Sequence, residues 1–565
     1  MDPVALSPAR RKTDLAALRR EVFDLVVIGG GVTGAGIALD AATRGLTVAL
    51  VEQRDFAAGT SSRSSKLIHG GLRYLEQLNF SLVREALHER SLLLHDLAPH
   101  LVRPVSFLYP LQHTGWERFY VGAGVTLYDT MGGAGALPRH RHLTRRSALR
   151  VAPALRRDAM VGAIRYWDAQ VDDARHTMEL ARTAASYGAT VTTSTRVTGL
   201  LREGERVVGV EVRDQETGDE IGVRGRQVVN ATGVWADRIQ EMAGRGRIRV
   251  RASKGIHLVV PRDRIHSDSG LVLRTEHSVL FVVPWGRHWL LGTTDTDWEL
   301  DLSHPAASAT DIQFVLDRVN RVLKTPLTHE DVEGVYAGLR PLLHGESEAT
   351  SKLSREHAVG QTVAGLITVA GGKYTTYRVM ARDAVDVAAR SLPQRVPESV
   401  TDRVPLLGAH GYQAMWNRRH RLAQQSGLHV TRIEHLLGRY GSLTTEVLDL
   451  LADRPELGER IVGADTYLKV EAAYAARHEG ALHLDDFLTR RTHISIETFD
   501  RGRQAARDVA ELMGAELGWD DEDVARELKH YEARIDAELE SQRMPDDRTA
   551  DAARMGAPDV RTGRG

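Results

Sequence analysis

The sequence predicts an α/β chain in three parts: a doubly wound domain with a parallel sheet, a domain built on an antiparallel sheet, and an α-helical C-terminal domain. Three observations predict it. "DLVVIGGGVTGAGIALDAATRGLTVALVE" near the N-terminus reads strand, glycine turn, helix, strand. The segments "KGIHLVVP", "SVLFVVPWGRHWLLGTTDT" and "VEGVYAGLRPLL" are β-rich and stand far from those glycines. From about Pro397 the pattern turns helical, laced with Arg and Glu. The 565 residues exceed what one core supports, since single cores stop growing near ~250–300 residues.

The first part carries the most specific signal. Leu25–Ile28 is a short apolar run, as a buried parallel strand requires. Gly29, Gly31 and Gly34 supply G-x-G-x-x-G. The first permits the tight turn, the second lets backbone approach a pyrophosphate, and the third lets the helix pack on the sheet. The helix N-terminus then offers free N–H groups and its positive dipole end to phosphate. Glu52 closes the next strand, placed to accept from a ribose diol, and an acid there favours an unphosphorylated ribose over NADP. Strand, turn, helix, strand and acid in register predict a dinucleotide site, against the alternative of a plain glycine turn.

The loop that follows, "TSSRSSKLIHGGLRYLE", leaves the carboxyl end of such a strand and is expected beside the ligand. Residues 81–97 predict an amphipathic helix whose His88 and His95 lie at the surface. "GWERFYVGAGVTLYDTMGG" is rich in aromatics and glycine; it suits a pocket cap or a lipid contact, and burial is the expectation. "RVVGVEVRDQETGDEIGVRGRQVVNATGVW" predicts a hairpin turning at "TGD", then a strand ending in a second small-residue turn, Ala231-Thr232-Gly233. The substrate-side hairpin turns at Gly286-Arg287, and "GLITVAGGKYTTYR" is a further strand-to-helix turn.

Composition narrows the function classes. Lys plus Arg total 74 and Asp plus Glu 75, a balance that argues against a nucleic-acid partner. The absence of cysteine removes disulfides, thiolate metal sites and cysteine nucleophiles, and no metal site is expected. The N-terminus lacks the apolar core of a secretory signal. The longest uncharged run there is Leu25–Leu39, fifteen residues with five glycines, short of the ~20 apolar residues of a membrane span.

The segments "VVIGGGVTGAGIALDAATRGL", "TSSRSSKLIHGGLRYLE", "VDDAR", "NATGVW", "KGIHLVVP", "GTTDT", "GLRPL", "GGKYTTYR", "YGS" and "DDFLTRRT" together resemble the FAD-dependent, respiratory glycerol-3-phosphate dehydrogenases, from about Phe23 to beyond Thr492. The resemblance implies an α/β FAD-binding domain of the glutathione-reductase/amino-acid-oxidase type. That domain is discontinuous, over 21–110, 150–250 and 355–395. The substrate domain takes 111–149 and 251–354 and the helical domain 396–540, with an extension at 1–20 and a disordered tail at 541–565. The activity implied is oxidation of glycerol 3-phosphate to dihydroxyacetone phosphate, with hydride passing from C2 to flavin N5 and electrons to a quinone. The location implied is peripheral, on the cytoplasmic face of the cell membrane, with a homodimer left open. The lack of a long insertion, unlike the oxygen-using glycerophosphate oxidases, tilts the acceptor toward quinone.

Carried over by motif, Gly29, Gly31, Gly34 and Glu52 hold the ADP half of FAD. Thr60, Ser61, Ser62, Ser65, Lys66 and Leu67 line the pyrophosphate and flavin, and Val197, Ala231, Gly233 and Gly372–Thr375 complete that site. Arg73, Tyr74, Arg340, Arg355 and Lys373 match the substrate positions, and guanidinium suits a phosphate dianion. His257 and His69 are the candidate bases, His257 preferred. Two other readings stand beside this one: a flavin amino-acid or amine oxidase of the same fold, and a non-catalytic membrane-associated flavoprotein.

Overall fold

The computed structural model describes residues 4–563 apart from 77, 114, 133–136, 245–247, 275–278, 344–356 and 558. An eight-stranded sheet holds the nucleotide fold. Its path runs His357–Val363, Leu366–Gly371, Glu220–Asn230, Val22–Ile28, Val48–Val51 and Thr190–Thr192, and every pair is parallel except the edge strand His357–Val363. Its central strands are buried on both faces, which is why they read as unbroken apolar runs. Arg206–Asp214 and Glu220–Asn230 form the hairpin predicted to turn at "TGD", and Thr195–Glu203 pairs on the far side of Arg206–Asp214.

Register positions the site. Ile28 stands opposite Val51 on one side and Asn230 on the other. Three strands therefore end level, so the Gly29 turn, Glu52 and the Ala231 turn open on the same edge. The helices Val32–Thr43, Asp173–Ser186 and Tyr377–Ala389 pack together over one face, and with the strands they form the largest apolar core.

The second sheet has ten strands and is antiparallel except where Gly270–Arg274 runs parallel to Val102–Leu111. Val250–Pro261 pairs along its length with Gly334–Leu343 and with His288–Gly292. The hairpin Val279–Trp285 with His288–Gly292 turns at Gly286-Arg287 as predicted. Strand pairing alters the expected boundaries. Leu67–Ile68, Val102–Leu111 and Gly162–Val171 belong to this second sheet, although the sequence places 21–110 and 150–250 in the nucleotide domain. The chain leaves the parallel sheet after Val51 and crosses to the second sheet before returning at Asp173; no composition change marks that crossing.

The C-terminal domain is helical from Tyr412 to Ser541, with one short hairpin at Arg460–Leu468. "DDFLTRRT" fastens it to the nucleotide domain: Arg490 Nε and Arg491 Nη1 donate to buried Asp55 at 2.6 and 2.7 Å. The tail corrects the expectation of disorder. Asp547–Arg554 is a helix capped by Asp546, with Ala550 and Arg554 buried, and Asp547 joins Asp311 on the buried Lys254 ammonium. Short polar side chains with few apolar residues look solvated in sequence; here they dock through ion pairs. The N-terminal extension is also structured. Pro8–Arg20 is a helix capped by Ser7, and Arg10 donates to the carbonyls of Ala185 and Ala189.

The helix Trp116–Met131 corrects the expectation of burial. Val125 and Tyr128 face inward, but Trp116, Phe119 and Tyr120 are 61%, 80% and 52% exposed. The Phe80–Leu92 helix continues as a π turn to Leu97, with His88 and His95 exposed as expected.

Candidate active site

One elongated cavity of about 360 Å³ runs from the Gly29 turn to the face of the second sheet. It is lined by both glycine turns, the Thr60–Leu67 loop and the Gly371–Thr375 turn. The cradle at its nucleotide end leaves no room for side chains. A Cβ on Gly34 would lie 1.8 Å from the Gly29 carbonyl oxygen, and one on Gly29, whose φ is +108°, 2.8 Å from that of Ala231. Ser61 Oγ accepts from the Val32 N–H at 2.9 Å, which leaves its hydroxyl proton to donate at the helix N-terminus. Glu52 is held by the N–H groups of Gly30 and Arg54 at 2.6 and 2.8 Å; burial still raises its pKa. A diphosphate and a ribose fit this cradle.

Most of the predicted positions reach the cavity. Gly29, Gly31, Glu52, Thr60, Ser61, Ser65, Leu67, Val197, Ala231, Gly233, Gly372, Lys373 and Thr375 line it, as do His69, Tyr74, His257 and Arg340. Gly34 acts from beneath, at the helix–strand contact. Two positions do not face it. Lys66 is fully buried, with Nζ 2.5 Å from Asp173 and above the rings of Trp285 and Tyr336. Ser62 Oγ turns away to the Gly59 carbonyl. Lys66 takes a left-handed backbone conformation, φ +56°, which turns its side chain away from the cavity that Ser65 and Leu67 line. Arg355 and the side chain of Arg73 lie outside the described residues; Arg73 begins the short helix that carries Tyr74.

At the far end, Arg340 extends from Gly334–Leu343 opposite Ser253. Its guanidinium is fixed by the Thr293 hydroxyl at 2.9 Å, the Thr294 carbonyl at 3.0 Å and Asp295 at 3.2 Å. A Cβ on Gly255 would meet Arg340 Nη2 at 2.4 Å, so that glycine makes space for the cation. The "GTTDT" segment is thus the clamp of Arg340, a role unread in the sequence because the two segments are joined only through sheet pairing. Lys373 Nζ stands 3.6 Å over the Tyr74 ring.

His257 lies between these cations and the loop. Its Nε2 is 2.9 Å from Ser65 Oγ, its ring stacks on Tyr336 with centroids 4.8 Å apart, and its Nδ1 is buried without a protein partner. Burial, then the charges of Arg340 and Lys66, push its pKa down to about 3. The imidazole is therefore neutral at any working pH. His69 contributes its backbone N–H to Thr375 Oγ1 and lies edge-on to Phe281.

A glycine-turn nucleotide cradle opening onto a mostly antiparallel sheet with convergent cations defines a flavin-type oxidoreductase. Comparison with known proteins agrees. The family "FAD dependent oxidoreductase" matches residues 24–378, and the "C-terminal domain of alpha-glycerophosphate oxidase" matches 399–524. The glycerol-3-phosphate dehydrogenase 2 of Mycobacterium tuberculosis is 61% identical over 558 residues, covering 99% of this chain and 95% of the relative. The human mitochondrial glycerol-3-phosphate dehydrogenase is 36% identical, covering 94% and 76%. The glycerol-3-phosphate dehydrogenase of Bacillus halodurans, solved with FAD, superposes with a TM-score of 0.78 at 29% identity, covering 94% of this chain and 97% of that one. The chain belongs to the FAD-dependent oxidoreductases, within their glycerol-3-phosphate dehydrogenase branch. Its cofactor is FAD.

Proposed function

We propose that this protein oxidises sn-glycerol 3-phosphate to dihydroxyacetone phosphate and passes the electrons to a quinone at a membrane surface. The observation that carries the substrate is the convergence of Arg340 and Lys373, from different sheets, on the cavity that holds the nucleotide cradle. A phosphate monoester carries close to two negative charges, and the clamped guanidinium offers it paired donors at fixed geometry. A carboxylate substrate would need only one such group.

The FAD supplies the two-electron acceptor. The chain's own part is to bind, orient and move one proton. Gly31, Ser61 and the Val32 helix terminus would hold the pyrophosphate; Lys373 and the Gly371–Thr375 turn would offset the negative charge that reduction adds to the cofactor. His257, joined through Nε2 to Ser65 Oγ at the cavity wall, is the neutral imidazole placed to take the C2 hydroxyl proton. The substrate's own dianion offsets the Arg340 charge, which after burial is the next cause of this imidazole's lowered pKa.

The membrane reading rests on the Trp116–Met131 helix. Its exposed Trp116, Phe119, Tyr120 and Leu127 are the side chains an interfacial helix inserts. Arg118 Nη2 donates to the Leu143 carbonyl, and the adjoining segment exposes Arg139, Arg141, Arg145, Arg146 and Arg150. Each arginine near an anionic leaflet contributes roughly 1 kcal/mol. Among the described residues no helix is long and apolar enough to cross a bilayer; the proposed attachment is peripheral, on the cytoplasmic leaflet. Homodimerisation stays part of this reading without a surface assigned to it.

The test is an anaerobic titration. Glycerol 3-phosphate should bleach the flavin absorbance stoichiometrically, and a soluble quinone analogue should restore it. Bleaching by amino acids in its place would overturn the substrate assignment.

A further inference from the structure

A second cavity, of about 90 Å³, shares Arg63 with the flavin cavity but opens among the C-terminal helices. Four arginines line it, Arg63, Arg490, Arg534 and Arg554, together with His304, against one carboxylate, Glu538. Two of the four are matched: Arg490 by Asp55, Asp485 and Asp486, and Arg534 by Asp485. Arg63 and Arg554 form no ion pair among the described residues. Arg554 is 5% exposed with Nη1 buried and unbonded, and His304 is 6% exposed with Nδ1 in the same condition.

Such crowding is costly. Burial, then the neighbouring guanidinium groups, lower Arg63 to about 9; burial, then Arg534, lower Arg554 to about 10 against the partial compensation of Glu538 and Asp485. Guanidinium groups taken out of water without a paired carboxylate destabilise a fold, and a donor left unbonded adds to that penalty. Nothing in the proposed reaction uses Arg554 or His304, which stand behind the Ser61–Ser65 loop on segments outside the flavin cavity. Planar donors converging on a small, positive space are the arrangement that takes a tetrahedral oxyanion.

We propose that this cavity is an anion site, separate from the substrate's, which holds inorganic phosphate or the phosphate of a small monoester between Arg63 and Arg554. Occupancy ties the loop that lines the flavin to the C-terminal tail, so the anion acts as a brace between domains.

The experiment uses the FAD-loaded enzyme at fixed ionic strength, with chloride replaced by inorganic phosphate or by methyl phosphate. Phosphate at ten times its dissociation constant should raise the melting temperature by about 2 °C. A larger rise with methyl phosphate identifies an ester as the better ligand. Arg340→Gln, which weakens the substrate's phosphate site, should keep the rise. Arg554→Gln should lose it, while melting no lower than the parent in chloride because it relieves like-charge crowding. Equal melting in chloride and phosphate, or a full rise in Arg554→Gln, overturns the proposal. If Arg554→Gln does not fold, calorimetric titration of phosphate into FAD-loaded Arg340→Gln decides: one site is expected, and no binding refutes it.

Discussion

His257 Nε2 lies 2.9 Å from Ser65 Oγ, and that contact joins the second sheet to the loop lining the main cavity. Because the imidazole is neutral down to about pH 3, it enters the reaction as an acceptor without a prior deprotonation. Replacing it by Gln should lower kcat by about 10²–10⁴-fold, the usual worth of a positioned base, with the flavin spectrum retained. The wild-type pH profile should show no ascending limb near 6.5 that vanishes in His257→Gln. Finding such a limb would mean that the free imidazole titrates there, contrary to its burial.

Arg340 is pre-oriented by Asp295, Thr293 and Thr294, so its fork is fixed before substrate arrives. Lysine retains the charge and loses the paired geometry. Arg340→Lys should cost about 2–3 kcal/mol in kcat/KM, a roughly 30- to 150-fold fall, expressed mainly as a higher KM. Steady-state kinetics with glycerol 3-phosphate and a soluble quinone analogue measure it; a change under threefold would remove Arg340 from the phosphate contact.

What the sequence discloses and what it hides divide along one line. Gly29, Gly34 and Glu52 were legible because each meets a local constraint: a φ only glycine tolerates, a helix that must touch a turn, an acid at a strand's end. Lys66 was not. It stands beside residues that line the cavity, and its partner Asp173 lies 107 positions away in a different motif. Arg340 was found through family resemblance, yet its clamp in "GTTDT" needed the sheet. Trp116 and Phe119 have the residue types of a core, and only the neighbouring surface decides that they face outward. The tail at Asp547–Arg554 reads as solvated because ionic docking leaves no apolar periodicity.

The exposed aromatics yield a membrane prediction. Vesicles with anionic lipid should bind the protein more tightly than neutral ones, and the difference should fade with salt. Trp116→Ser with Phe119→Ser should weaken vesicle co-sedimentation at least about tenfold. Melting in solution should change by under about 0.5 kcal/mol, as at other exposed positions. Undiminished binding would place the lipid contact elsewhere.

The buried Lys66–Asp173 pair anchors the flavin loop, since Asp173 also accepts from the Ser64 N–H and hydroxyl at 3.0 and 2.7 Å. Asp173→Ala leaves an ammonium with no water and no counter-ion. The expected loss is about 3–5 kcal/mol, read by chemical denaturation of the loaded enzyme, with earlier release of flavin. Asp173→Ala combined with Lys66→Met should recover much of that loss, because the uncompensated charge is then gone; no recovery would show that the Ser64 contacts, and not the ion pair, fix the loop.

The clamp at His483 predicts a pH dependence of stability. This imidazole is 2% exposed and bridges Glu216 at 2.9 Å and Glu527 at 2.9 Å. Burial and Arg561 disfavour its charge, but the two carboxylates more than offset them and raise its pKa to about 9. The unfolded value is about 6.5. The contribution is therefore whole below pH ~6.5 and is lost as pH climbs to about 9, where the folded protein too gives up its proton. The span caps the loss at roughly 3 kcal/mol, at ~1.4 kcal/mol per pH unit between those limits. Denaturation of the wild type should show that fall. His483→Gln should be less stable than the parent at pH 6, and the gap should close by pH 9.5. A gap that stays constant across this range would mean that the imidazole is held neutral, as a packed ring between two carboxylates of which at least one keeps its proton.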